Sequence, residues 1–168
     1  MSIQRPSNLQ RAGSFGYSLV ELMIVAAVIA ILMAIAIPSY SSYVVKTNRA
    51  AATGCLSQYA NYMERYYTTN LRYDEVPASG STAAVANPVI GTPSPMVLDC
   101  ASTAQTGNNY SYSVPAPTAT TYTIEATPIN AQLTRDTQCG TLTLDQHGQR
   151  TAASGSTSTT VLAQCWGG

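Results

Sequence analysis

From Leu22 to Ile37 the chain reads LMIVAAVIAILMAIAI, sixteen residues without a polar side chain. Carried back to Tyr17, the segment covers 21 residues, or about 32 Å of α-helix at ~1.5 Å per residue. A bilayer core is about 30 Å thick, so residues 17–37 predict a helix able to span it. Pro38 follows at once, and its missing N–H predicts a kink or a loosened turn. Beyond it the apolar spacing resumes at Val44, Ala51, Cys55, Tyr59, Tyr62 and Tyr66. Those steps trace one face of a helix, with Lys46, Arg49, Gln58, Asn61 and Arg65 on the other faces. Gly54 weakens this helix without stopping it, and Thr68 to Asn70 ends it. The whole element would run about 80 Å, from Tyr17 to Asn70. Its tyrosine stripe reads as core packed against a sheet. An exposed stacking platform for single-stranded nucleic acid is the alternative, and an amphipathic helix disfavours it by turning the stripe inward.

The pattern then changes. Residues 71–109 are rich in Pro, Gly, Ala, Ser and Thr and read as a long connecting loop, with one short helix around Val97 to Ala101. Three alternating runs follow at Tyr110–Val114, Thr121–Thr127 and Thr141–Asp145. Period-2 alternation predicts an antiparallel sheet with one wet face, placing Tyr122, Ile124, Ala126, Leu142 and Leu144 inward. Pro115 and Pro117 end the first strand, and His147-Gly148 makes the turn after the third. A fourth short strand is expected through Thr160-Val161-Leu162.

Composition narrows the function. Of 168 residues only 10% are charged, and eight Lys plus Arg balance eight Asp plus Glu. A generic nucleic-acid binder would carry a basic excess, and a charge-driven disordered chain would carry a high net charge. The single His147 leaves little for a His-based metal site or a Ser-His-Asp triad. Four widely spaced cysteines, Cys55, Cys100, Cys139 and Cys165, form no CxxC pair. Their even number points to two disulfides and an oxidising compartment.

The N-terminus carries one feature that a signal peptide or a plain anchor does not explain. Residues 1–16 form a leader with Arg5 and Arg11 and no acid, which puts it on the cytoplasmic side. Glu21 then sits inside the apolar run, where a carboxylate costs roughly 2.5–3.5 kcal/mol at mid-bilayer and therefore calls for a partner. The run Gly16-Tyr17-Ser18-Leu19-Val20-Glu21-Leu22-Met23-Ile24-Val25 resembles the class III signal of type IV prepilins. In that family a dedicated prepilin peptidase cuts after a Gly and methylates the new N-terminus, the fifth mature residue is Glu and the twenty-second is Pro. Gly16, Glu21 and Pro38 fall in that register, and Tyr17 stands where Phe is usual.

Further along, Met63-Glu64-Arg65-Tyr66-Tyr67, Tyr110-Ser111-Tyr112, Tyr122–Pro128, Cys139–Leu144 and Cys165-Trp166 look like the PilE-type minor pilins of Gram-negative bacteria. That group overlaps in domain family with the DNA-uptake minor pilin ComP. The resemblance implies an α+β type IV pilin fold, with a long N-terminal helix packed on a small antiparallel sheet. Its parts would be a cleaved leader (1–16), a transmembrane or fibre-core helix half (17–37), an amphipathic half (38–70) and a disulfide-closed head (71–168). It also implies cleavage between Gly16 and Tyr17 with N-methylation of Tyr17, and assembly roles for Glu21 and Pro38. Cys139 would bond Cys165, and Cys55 would bond Cys100. Implied partners are other pilin subunits through their helices, the inner membrane before assembly, and the prepilin peptidase. The chain would move from an inner-membrane pool to an extracellular pilus that serves twitching motility, adhesion or DNA uptake.

No enzyme motif appears, and no catalytic residue, cofactor or metal site is expected. Asp136, Asp145, Glu64, Asp74-Glu75 and Asp99 read as solvated surface acids. Asp145-Gln146-His147-Gly148 reads as a hairpin turn, since the further acids of a pseudopilin calcium site are missing. The rival functions are a ComP-like DNA receptor, a major pilin and a type II secretion pseudopilin. Without Arg5 and Arg11 the chain has six basic residues against eight acids, a side-chain charge of −2. That charge disfavours DNA, because phosphate contacts dominate affinity, although Arg135 and Arg150 could form a local patch.

Overall fold

The computed structural model describes residues 16–91, 94, 96–153 and 155–167. Arg5, Arg11 and all but the last residue of the leader lie outside them. The chain divides into two structural units, Met1–Tyr40 and Ser41–Gly168.

Helix α1, Leu19–Asn70, is the longest element. Its run through Leu22–Ile37 is exposed along its whole length and is long and apolar enough to cross a membrane. Pro38 lies inside the helix. It has no N–H to give the carbonyl of Ala34, so that turn holds one bond fewer. The C-terminus is closed by Leu71, whose N–H donates to the carbonyl of Tyr67 at a φ of 57°. That left-handed position usually takes glycine. Asn70 helps by donating from its side chain to the Tyr66 carbonyl.

In the second unit, β1 (Glu75–Val76) and β2 (Val85–Ala86) form a two-stranded ribbon, and a 3₁₀ turn covers Asp99–Ala101. The segment expected to be loop thus carries two short paired strands and the expected short helix. The main sheet is antiparallel, in the order β3 (Tyr110–Ser113), β4 (Thr123–Pro128), β5 (Leu142–Asp145) and β6 (Arg150–Thr151). Its register pairs Tyr112 with Ala126 and Ile124 with Leu144. Tyr110, Tyr112, Ile124, Ala126, Leu142 and Leu144 therefore face α1, where they pack with Ala52, Leu56, Tyr59 and Met63. The free edge of β3 is covered by the preceding segment, which pairs Gly91 with Val114 and Ser94 with Tyr112. Gly107 makes a close approach after the 3₁₀ turn, where a Cβ would run into the carbonyl oxygen of Ala101.

Two expectations are corrected. Thr160-Val161-Leu162 is not a strand. It opens helix α3, Thr159–Trp166, and the fourth strand is β6 instead. The β-branched pair Thr160-Val161 favours strand locally. However, Val161, Cys165 and Trp166 have helical spacing, and only a helix lets all three meet the core side. Helix α2, Asn130–Arg135, was not expected at all, because six residues give no readable period. The second correction is the azimuth of α1. Its buried residues are Val45, Arg49, Ala52, Cys55, Leu56, Tyr59 and Met63. Ala51 is exposed, Val44, Tyr62 and Tyr66 are half-buried, and Arg49 points inward.

Candidate functional site

In the first unit, of the residues singled out for processing and assembly, three lie on one short stretch, and Pro38 lies further along α1. Gly16 and Tyr17 precede α1, Glu21 is in its first turn, and all three are exposed. Among the described residues no ion pair holds Glu21.

In the second unit two disulfides close the fold. Cys55 on α1 bonds Cys100 in the 3₁₀ turn, and Cys139 bonds Cys165 on α3, each with a Cα separation of 5.5 Å. The first ties the 71–109 segment to the helix. Thr106 adds to that tie by donating its hydroxyl to the Cys100 carbonyl, and it receives the Tyr112 hydroxyl at 2.8 Å. The second closes a loop of β5, β6 and α3. Each crosslink contributes about 2–4 kcal/mol, chiefly by restricting the unfolded chain.

Asp136, read from sequence as a solvated acid, is buried and is the hub of a polar cluster. Arg49 donates to it from Nε at 2.9 Å and from Nη2 at 2.6 Å, a bidentate pair. The same carboxylate receives the Tyr110 hydroxyl at 3.1 Å and the Gln132 amide at 3.0 Å. Arg49 Nη1 reaches the Gln164 carbonyl at 3.1 Å, and Gln132 reaches the Val45 carbonyl at 3.1 Å. One arginine thus fixes α2 and α3 to α1. Burial works against its charge, and Asp136 more than offsets that effect, so its pKa is raised. Burial and the Asp136 charge also hold the Tyr110 hydroxyl neutral far above its usual range. Sequence reading missed this cluster because neither charge is unusual alone. The one available signal was that Val45, Arg49, Ala52, Leu56, Tyr59 and Met63 form a helical stripe with an arginine in it.

Glu64 is exposed but committed. It accepts hydroxyls from Tyr73 at 3.0 and 3.2 Å and from Tyr122 at 3.0 Å. Those rings meet edge-to-face at 4.7 Å, and Tyr67 stacks on Tyr73 at 4.6 Å. Burial and Glu64 push the Tyr73 hydroxyl to about 12. The expected tyrosine stripe is split. Tyr59 is buried against Tyr112 at 5.5 Å, while Tyr62 and Tyr66 stack on each other at the rim.

The remaining acids are structural. Asp74 pairs with Arg72 at 2.8 Å, and that hydrogen bond lowers its pKa. Asp99 accepts from Gln105. Asp145 accepts the backbone N–H groups of His147 and Gln149, which is the hairpin expected between β5 and β6. Among the described residues no group of three or more His, Cys, Asp or Glu could hold a metal ion. Arg135 is exposed at the end of α2, and Arg150 on β6 lies over the Trp166 ring.

Comparison with known proteins accounts for both units. Residues 11–37 match the prokaryotic N-terminal methylation motif. The chain is 36% identical over 76 residues to the fimbrial protein EcpC of Eikenella corrodens, covering 45% of this chain and 48% of that one. It is 33% identical over 73 residues to the type IV major pilin protein PilE1 of Neisseria gonorrhoeae, covering 44% and 42%. A fimbrial protein of Neisseria meningitidis is 33% identical over 72 residues, covering 43% and 41%. The chain spans less than half the length of these curated relatives. Residues 38–143, well over half of the chain, match the family described as type IV minor pilin ComP, DNA uptake sequence receptor. The chain therefore belongs to the ComP-type family of type IV minor pilins.

Proposed function

We propose that this protein is a structural subunit of a type IV pilus, made as an inner-membrane precursor in a Gram-negative bacterium, cut after Gly16 by a prepilin peptidase and assembled through the apolar half of α1. The observation that carries the reading is the exposed apolar run Leu22–Ile37, with Glu21 unpaired among the described residues at its start. A surface of that kind needs lipid before assembly and neighbouring helices afterwards. Glu21 would meet the amino group of Tyr17 on an adjacent subunit. In a low-dielectric fibre core that attraction is strong and acts only when the helices are in register. Pro38 would loosen the helix at the border of the two halves. The function is mechanical and needs no cofactor. The expected N-terminus of the mature protein, read by mass spectrometry, is N-methylated Tyr17. An N-terminus just after Ala36 would mean that ordinary signal peptidase removes the helix, and the reading would fail.

The second reading is DNA capture, favoured by the description of the matching family. Against it stands the side-chain charge of −2 without Arg5 and Arg11, and the commitment of Arg49 and Arg72 to internal carboxylates. A salt-dependent mobility shift on duplex DNA by the purified chain would favour it over a purely structural role.

A further inference from the structure

Two adjoining cavities run along one flank of the second unit, of about 320 Å³ and 200 Å³. Ala50, Thr53 and Trp166 line both; Lys46 belongs to the first and Arg150 to the second. Trp166 is fixed because its indole N–H donates to the Thr151 carbonyl at 2.9 Å. Arg150 is fixed in turn, its guanidinium 5.1 Å from the Trp166 ring centroid. Among the described residues no carboxylate lines either cavity. Asp136, which Arg49 binds, does not line them and is already paired. Lys46 and Arg150 make no ion pair among the described residues. Among the described residues the groove therefore offers two cations without an ion pair and a held indole.

Its other wall offers acceptors. Thr53 gives its hydroxyl proton to the Ala50 carbonyl at 2.8 Å, and Ser57 gives its proton to the Thr53 carbonyl at 3.1 Å. Both oxygens keep their lone pairs for an outside donor. A ligand matching this set carries an acid for the cations, hydroxyl donors for Thr53 and Ser57, and an apolar face for the indole. A phosphodiester backbone presents acceptors only, so it satisfies the cations and leaves the rest of the groove unmatched.

We infer that this groove is a binding site for an acidic oligosaccharide of the uronic acid class, held by Lys46 and Arg150 and stacked on Trp166. Such a site would give the subunit a surface-recognition function independent of assembly. Trp166 is the sole tryptophan of the chain, so its emission reports on the groove directly. The experiment titrates the full-length chain in detergent micelles with trigalacturonate, following Trp166 fluorescence with calorimetry in parallel. Maltotriose, a short DNA duplex and a hexaglutamate peptide serve as comparisons. The expected result is a saturable, salt-sensitive change with trigalacturonate and none with maltotriose. Arg150→Gln and Lys46→Gln should each weaken it roughly tenfold, the loss typical of one charge-assisted contact. Lys46 is exposed, so its variant stays informative even if Arg150→Gln fails to fold. The inference is overturned by an absence of binding, by heat without an indole response, by an equal response to maltotriose, or by tighter binding of the duplex or the peptide. None of these outcomes touches the fibre-subunit reading, which rests on the N-terminal unit.

Discussion

Residues 19–40 and 41–70 belong to one helix, yet they meet apolar surroundings with different resources. The first half is apolar on every side and contains one charge, Glu21, with no ion pair among the described residues. The second half looks polar in sequence, yet it buries seven residues, including an arginine. Arg49 meets Asp136 in the same chain, with three further donors and acceptors around the pair. A charge away from water needs a partner. In the second half the fold supplies it. In the first half the described residues supply none, and the proposed assembly through that half would bring it from another subunit.

The strongest break of the comparison removes the charge that lacks an internal partner. Glu21→Ala should leave the chain in the membrane and cleaved after Gly16, while its amount in sheared fibres, read by immunoblot, falls by about tenfold or more. Normal incorporation would mean that Glu21 has no partner in the fibre. A smaller effect, on stability alone, is expected at the internal pair. Asp136→Ala leaves a buried guanidinium without its carboxylate and should cost about 3–5 kcal/mol in urea unfolding of the detergent-solubilised chain. Replacing both partners, Arg49→Met with Asp136→Leu, should recover much of that loss, because no charge remains to be compensated. A single-variant cost below about 1 kcal/mol would show that the cluster does not hold the helices.

The mildest test is pH, and it too separates the halves. The second unit buries tyrosine hydroxyls whose pKa values are raised, to about 12 for Tyr73 and for Tyr112. A free tyrosine ionises near 10. Between those values the unfolded chain has lost protons that the folded chain retains. Stability is therefore full below about pH 10 and falls as pH rises toward 12. Circular dichroism and tyrosinate absorbance followed together should show ionisation coupled to loss of the head. Ionisation complete near pH 10 with the fold intact would contradict the buried hydroxyl network. Glu64 adds to the effect at Tyr73 through its hydrogen bond and its charge, so Glu64→Gln should lower the pH at which Tyr73 ionises in the folded chain.

Local pattern determined much of this protein. The apolar run, the Gly16, Glu21 and Pro38 register, the end of α1 at Asn70 and the alternation of Tyr122, Ile124 and Ala126 are each written within a few residues. Helix and strand geometry repeat over that distance, so the period is visible without knowing the partner. The tertiary structure decided the rest. Arg49 and Asp136 are 87 positions apart, and nothing local distinguishes a buried arginine from a solvated one until its carboxylate is found. The same holds for Glu64, which gains its two tyrosine donors only when Tyr122, just ahead of β4, and Tyr73, after α1, close over it. Thr160-Val161-Leu162 carries strand propensity, and the Cys165 crosslink together with the Trp166 bond to Thr151 holds it as helix. The groove of Lys46, Arg150 and Trp166 has no counterpart in the sequence pattern at all. Its residues come from α1, β6 and α3, and their chemistry converges only through packing.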